Sequence, residues 1–98
     1  MAVELVKGDG EWALRLSGVV DIFDATALHA AAQEAMAGSG GSVVALLDEV
    51  AAVDTAATQV LLALKRALAA DGRRLRMDAV PPPVLEAWKR AGLERALT

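Results

Sequence analysis

Hydrophobic and polar positions alternate along residues 11–17, with Trp12, Leu14 and Leu16 on one side and Ala13, Arg15 and Ser17 on the other. A period of two marks a half-buried strand. Residues 3–7 (Val-Glu-Leu-Val-Lys) read as a shorter strand. Between them Gly8-Asp9-Gly10 supplies the positive φ of a tight reversal, so the pair predicts an N-terminal β-hairpin. Gly18 breaks the alternation, and a helix is expected over residues 21–37. Asp21 or Asp24 stands near its start, where a carboxylate accepts from a free backbone N–H and complements the helix dipole. Ala25, Leu28, Ala32, Ala35 and Met36 form its inward stripe, and Gly38-Ser39-Gly40-Gly41 ends it.

Residues 42–47 (Ser-Val-Val-Ala-Leu-Leu) are a continuous apolar run, the pattern of an interior strand covered on both faces. Asp48 to Val53 read as its exit loop. A second helix follows over 55–70, with Val60, Leu61, Leu64 and Leu68 buried and Lys65 and Arg66 turned away. Asp71-Gly72 stops it. Residues 73–78 alternate again, Leu75 and Met77 inward and Arg74 and Arg76 outward, as suits an edge strand. Pro81-Pro82-Pro83 opens a third helix that runs to about residue 91 and turns Val84, Leu85 and Trp88 inward. Gly92-Leu93 closes it and leaves a short tail. The order β-β-α-β-α-β-α predicts an α/β fold in one domain over residues 1–98. It has a mixed sheet of about four or five strands and about three helices packed on it.

Composition agrees with this layout. Hydrophobic residues make up 55% of the chain, mostly Ala and Leu, which favours helices on a sheet over a β-sandwich. The net charge of −3 argues against nucleic acid as the partner, because phosphate neutralisation needs a basic face. There is no cysteine, which excludes disulfides, thiol catalysis and Cys-ligated zinc. The first ten residues carry Glu4 and no long apolar run, unlike a signal peptide. No apolar stretch approaches the roughly 20 residues that span a bilayer. The expectation is a soluble, cytoplasmic protein without direct membrane insertion.

Candidate chemistry is sparse. His29 is the single histidine and falls inside the first helix, and no serine occupies a nucleophile elbow. The Gly38–Gly41 stretch precedes a strand and lacks the Lys-Ser or Lys-Thr of a phosphate loop. Asp48, Glu49 and Asp54 match no calcium loop. No enzyme activity, metal or cofactor is therefore expected. Arg73, Arg74 and Arg76 read as a solvated edge in preference to an anion site. Asp54-Thr55, between an interior strand and an amphipathic helix, is more informative. Either side chain suits the N-cap, and a hydroxyl at that helix end is a good place for a phosphate.

The segment resembles the STAS family, whose best-known members are bacterial anti-sigma factor antagonists. Leu16-Ser17-Gly18-Val19-Val20-Asp21 is similar to the family's Leu-x-Gly-x-x-Asp stretch, and Val53-Asp54-Thr55-Ala56-Ala57 to its Asp-Ser/Thr signature. Leu61–Leu64, Asp71–Leu75 and Ala91-Gly92-Leu93 fit the later elements in order. The resemblance implies a STAS-like fold and places Thr55 at the family's phosphorylatable position. It also implies a partner-docking surface of Asp21, Asp54 and Thr55, beside which Thr58 is a further candidate. The implied partner is an ATP-binding serine kinase that also acts as the anti-sigma factor. Ala57 stands where many members have Gly, and Thr58 replaces a usual hydrophobic residue. With Gln59-Val60-Leu61-Leu62, these changes are more similar to two other branches. One is the small STAS subunit of phospholipid ABC transporters, which binds the transporter ATPase. The other is the STAS protein of chemotaxis and two-component systems.

Overall fold

A computed structural model describes residues 3–8, 10–38 and 41–98. Asp9 of the expected turn and Ser39-Gly40 of the expected helix end lie outside the described residues. Eight elements follow in order: β1 (Val3–Val6), β2 (Glu11–Val20), α1 (Ala25–Ala37), β3 (Ser42–Val53), α2 (Thr55–Ala70), β4 (Leu75–Asp78), α3 (Pro82–Arg90) and α4 (Glu94–Leu97). The strands form one mixed sheet in the order β1-β2-β3-β4. β1 and β2 make the expected antiparallel hairpin, with Val3 opposite Leu16 and Leu5 opposite Leu14. β2–β3 and β3–β4 are parallel, so α1 and α2 are crossover helices.

The sheet contributes to the core from one face only. Leu14, Leu16, Val43, Ala45, Leu47 and Leu75 join Leu28 and Ala35 of α1, Ala57, Leu61 and Leu68 of α2, Val84 and Trp88 of α3 and Leu97 of α4 in one cluster. This corrects the expectation that β3 is covered on both faces. Val44 is buried but lies outside that cluster. Its register neighbours are Ala13 and Arg76, and those of Leu46 are Arg15 and Asp78. Glu11 and Arg76 meet across β3 at 3.6 Å on this outer face. Long side chains from the flanking strands therefore shield Val44 where a second helix layer was expected.

β3 runs six residues past the expected strand end, so Asp48–Val53 is strand and not exit loop. The sequence hides this because two register shifts interrupt the pairing with β2, after Arg15 and after Gly18. Inward residues of β2 keep a spacing of two, whereas those of β3 fall at Leu47, Val50 and Val53, three apart. Each bulge inserts one residue and destroys the period that marks a strand. Gly18 sits at the second shift with φ +67, a left-handed conformation that costs a side-chain-bearing residue roughly 1–2 kcal/mol.

The helix ends have local causes. In α2, Ala57, Leu61, Leu64 and Leu68 face the core at helical spacing. The Arg73 N–H donates to the Leu68 carbonyl and the Gly72 N–H to the Ala69 carbonyl, a Schellman closure. Leu93 and Gly92 close α3 in the same way on Trp88 and Lys89. The chain beyond is not merely a tail, since it forms the short α4 and buries Leu97. Arg73, expected in an outer edge strand, precedes β4. Its guanidinium donates to the carbonyls of Ala35, Met36 and Gly41, thereby capping the end of α1.

Candidate functional site

The C-terminal ends of β2 and β3 meet where the Asp54 N–H donates to the Val20 carbonyl at 3.0 Å. This bond sets the segment leaving β2 beside the start of α2. Asp54 is the N-cap of α2: its extended backbone leaves the helix, and its Oδ1 accepts from the Ala57 N–H at 2.9 Å. The Thr58 N–H then donates to the Asp54 carbonyl to begin the helical ladder. Thr55 is the first helical residue and is exposed. The cap is therefore Asp54, and the Thr55 hydroxyl faces outward at the positive end of the helix dipole.

On the β2 side the chain does not enter a helix at Asp21, as the sequence led one to expect. Residues 22–24 form a turn and α1 begins at Ala25. Asp21 Oδ1 accepts from the Phe23 N–H at 2.9 Å, and Asp24 Oδ2 accepts from the Asp21 N–H at 3.1 Å. The Asp24 N–H closes the turn on the Asp21 carbonyl. Asp24 occupies the N-cap position but makes no side-chain bond to the first turn of α1, so both carboxylates order the turn and neither side chain caps the helix.

That turn presents two residues that the hydrophobic pattern did not single out. Ile22 is 64% exposed and Phe23 90% exposed, and Val19 on the preceding strand end is also exposed. Large apolar side chains held outward by a bonded turn form a ready contact surface. Their signal in the sequence was their position: adjacent bulky residues flanked by Asp21 and Asp24, outside every inward stripe.

Asp21, Asp54 and Thr55 thus lie at one end of the sheet. Thr58 does not join them there. It is 4% exposed, and its Oγ1 accepts from the Trp88 Nε1–H at 3.3 Å, so its side chain ties α2 to α3. Among the described residues no group of three His, Asp or Glu is placed to hold a metal ion. His29 is exposed on α1 beside a shallow apolar groove of about 170 Å³ that also touches Met36, Val60 and Leu64.

A four-stranded mixed sheet with helices on one face, and a capped helix end beside an exposed apolar turn, define a small α/β module. The family model described as "Mlab, STAS domain" matches residues 3–98, and the chain belongs to this STAS family. No curated protein matches the chain. Among solved structures, the anti-sigma factor antagonist SpoIIAA in its unphosphorylated form superposes with a TM-score of 0.84 at 20% identity, covering 96% of this chain and 84% of that one. The phosphorylated form of the Bacillus protein gives 0.75 at 18% identity, covering 96% and 86%. An anti-sigma factor antagonist from Mycobacterium paratuberculosis gives 0.77 at 22% identity, covering 95% and 79%. Mglu gives 0.70 at 25% identity over 85% of this chain, which spans only 21% of Mglu. These likenesses bear out the STAS fold expected from the sequence.

Proposed function

We propose that this chain is a non-enzymatic regulatory STAS protein of the anti-sigma factor antagonist type. It docks a protein partner through Asp21, Ile22, Phe23, Asp54 and Thr55. The observation that carries this reading is the Asp54–Val20 hydrogen bond, which sets an exposed Phe23 and an exposed hydroxyl at the same end of the sheet. Phe23 has the character of an anchor residue, being large, rigid and free to enter a partner pocket. The partner is a serine kinase that also serves as the anti-sigma factor, and it supplies the nucleotide.

Thr55 is the switch in this reading. A phosphate there adds about −1.5 to −2 charges at pH 7. The dipole and free amides of α2 offset part of that charge, while Asp21 and Asp54 add to it. A partner face that is acidic or apolar around the Phe23 pocket is then repelled. The two solved forms of SpoIIAA, with and without phosphate, support this reading by likeness of fold. The test is incubation with the partner kinase and ATP. Phosphate is expected on wild type and not on Thr55→Ala. Phosphate incorporated elsewhere, or none, removes Thr55 as the switch.

The family match favours a second reading. The model bears the description Mlab, and Asp54–Leu62 is similar to the small STAS subunit of phospholipid ABC transporters. In that role the second and third helices, α2 and α3, bind the transporter ATPase constitutively. Thr55→Glu separates the readings, since a constitutive subunit keeps its ATPase and a switched one loses its kinase. No helix among the described residues is long and apolar enough to cross a membrane. Either role is that of a cytoplasmic protein that binds a partner and holds no cofactor.

A further inference from the structure

We infer that the open edge of β4 is a second docking surface, at which an extended acidic segment of a partner protein adds as a further strand. Among the described residues β4 is the last strand of the sheet and pairs only with β3. The Val43 N–H donates to the Arg74 carbonyl, so the backbone of Arg74 and, by alternation, of Arg76 is turned to β3. The N–H and C=O groups of Leu75 and Met77 therefore point to the open side. Such a row of backbone groups is a template for a new strand.

The edge is also shaped and charged. A cavity of about 530 Å³ runs along it and touches residues of both sheet faces, Leu75 and Met77 on one and Arg74, Arg76 and Glu11 on the other, with Lys65 of α2 above. Arg76 is engaged by Glu11. Arg73, which also borders the cavity, is committed to the end of α1. Arg74 forms no ion pair among the described residues, and it is the cation on the Arg76 face that remains for a ligand. An incoming strand with acidic residues at alternate positions sets them against Arg74 and Arg76 and turns its other side chains toward Leu75 and Met77. A second copy of this chain brings like charges together at the same edge, so the arginines that discourage self-pairing select an acidic partner. The surface lies at the N-terminal ends of the parallel strands, opposite the Thr55 end, and is independent of the reading given to Thr55.

The experiment is a titration of the isotope-labelled full chain with a synthetic peptide of roughly eight residues alternating Glu and Val, and with its Lys-Val counterpart. Amide exchange is read residue by residue. The Glu peptide is expected to bind and to slow exchange at Leu75 and Met77 by at least about tenfold, while the Lys peptide leaves both unchanged. Arg74→Glu is expected to weaken binding about fivefold, and Arg74→Gln to weaken it less, with unfolding midpoints unchanged. The inference is overturned if both peptides bind alike, if protection appears at residues 19–23 or 54–55 instead, or if those two amides are unprotected at saturation. Protection that grows with protein concentration alone makes a second copy the occupant. Inorganic phosphate that displaces the Glu peptide from wild type without itself slowing exchange at Leu75 makes the edge an anion site. Either result also overturns the inference.

Discussion

Asp54 and Thr55 are neighbours with different duties. Asp54 holds the free amide of Ala57, so Asp54→Ala is expected to cost about 0.5–2 kcal/mol in urea denaturation. Thr55 is exposed, and Thr55→Ala is expected to cost no more than about 0.5 kcal/mol. Equal losses for the two variants would mean that the hydroxyl shares the cap. Thr58 has a third duty. Thr58→Val leaves the buried Trp88 N–H without its acceptor, and a loss of about 1–3 kcal/mol is expected by the same method. The pair Asp54-Thr55 was legible because a polar doublet directly before an amphipathic helix marks where the free amides of its first turn need an acceptor. The inward setting of Thr58 was legible too, since it stands three and four positions before the buried Leu61 and Leu62. The docking likeness drew it to the wrong face. Which carboxylate caps and which orders a turn was not legible, because Asp21, Asp24 and Asp54 look alike until the backbone direction is known.

At the scale of the element, α2 matches its expected span of 55–70, because cap, stripe and Gly72 closure agree. The ends of β2 and β3 were not legible. Two bulges turn a period of two into a period of three over Leu47, Val50 and Val53, and that pattern imitates a loop. The end of α1 was hidden for another reason: its cap comes from Arg73, more than thirty residues later in the chain. Arg73→Ala is expected to cost about 1–3 kcal/mol and to speed amide exchange in the last turn of α1. Arg73→Lys should recover little of this, because an ammonium does not span three carbonyls as the guanidinium fork does. Full recovery by Lys, read from the unfolding midpoint and the exchange rates, would show that charge at the helix end suffices.

For the whole molecule, the alternation of strand and helix patterns made the layered α/β architecture legible, and the family motifs gave its kind. The apolar run 42–47 overstated the cover on β3. A small sheet shields an interior strand with long side chains from its neighbours, and sequence alone does not separate that from a second helix layer. The result is a one-sided protein with helices and core on one face, a mixed-charge face on the other, and an exposed apolar turn at one end. Exposing Phe23 at the surface has no return in folding energy, so Phe23→Ala is expected to change the unfolding midpoint little. The central claim is that this end of the molecule binds. The most direct measurement is affinity capture from a lysate of the source cells with wild type, Phe23→Ala and Thr55→Glu, read quantitatively by mass spectrometry. The account predicts one kinase-like partner held by wild type, weakened by Phe23→Ala and lost with Thr55→Glu, while all three proteins unfold alike. The same partner recovered equally by all three would contradict it, and would place the binding face elsewhere on the molecule.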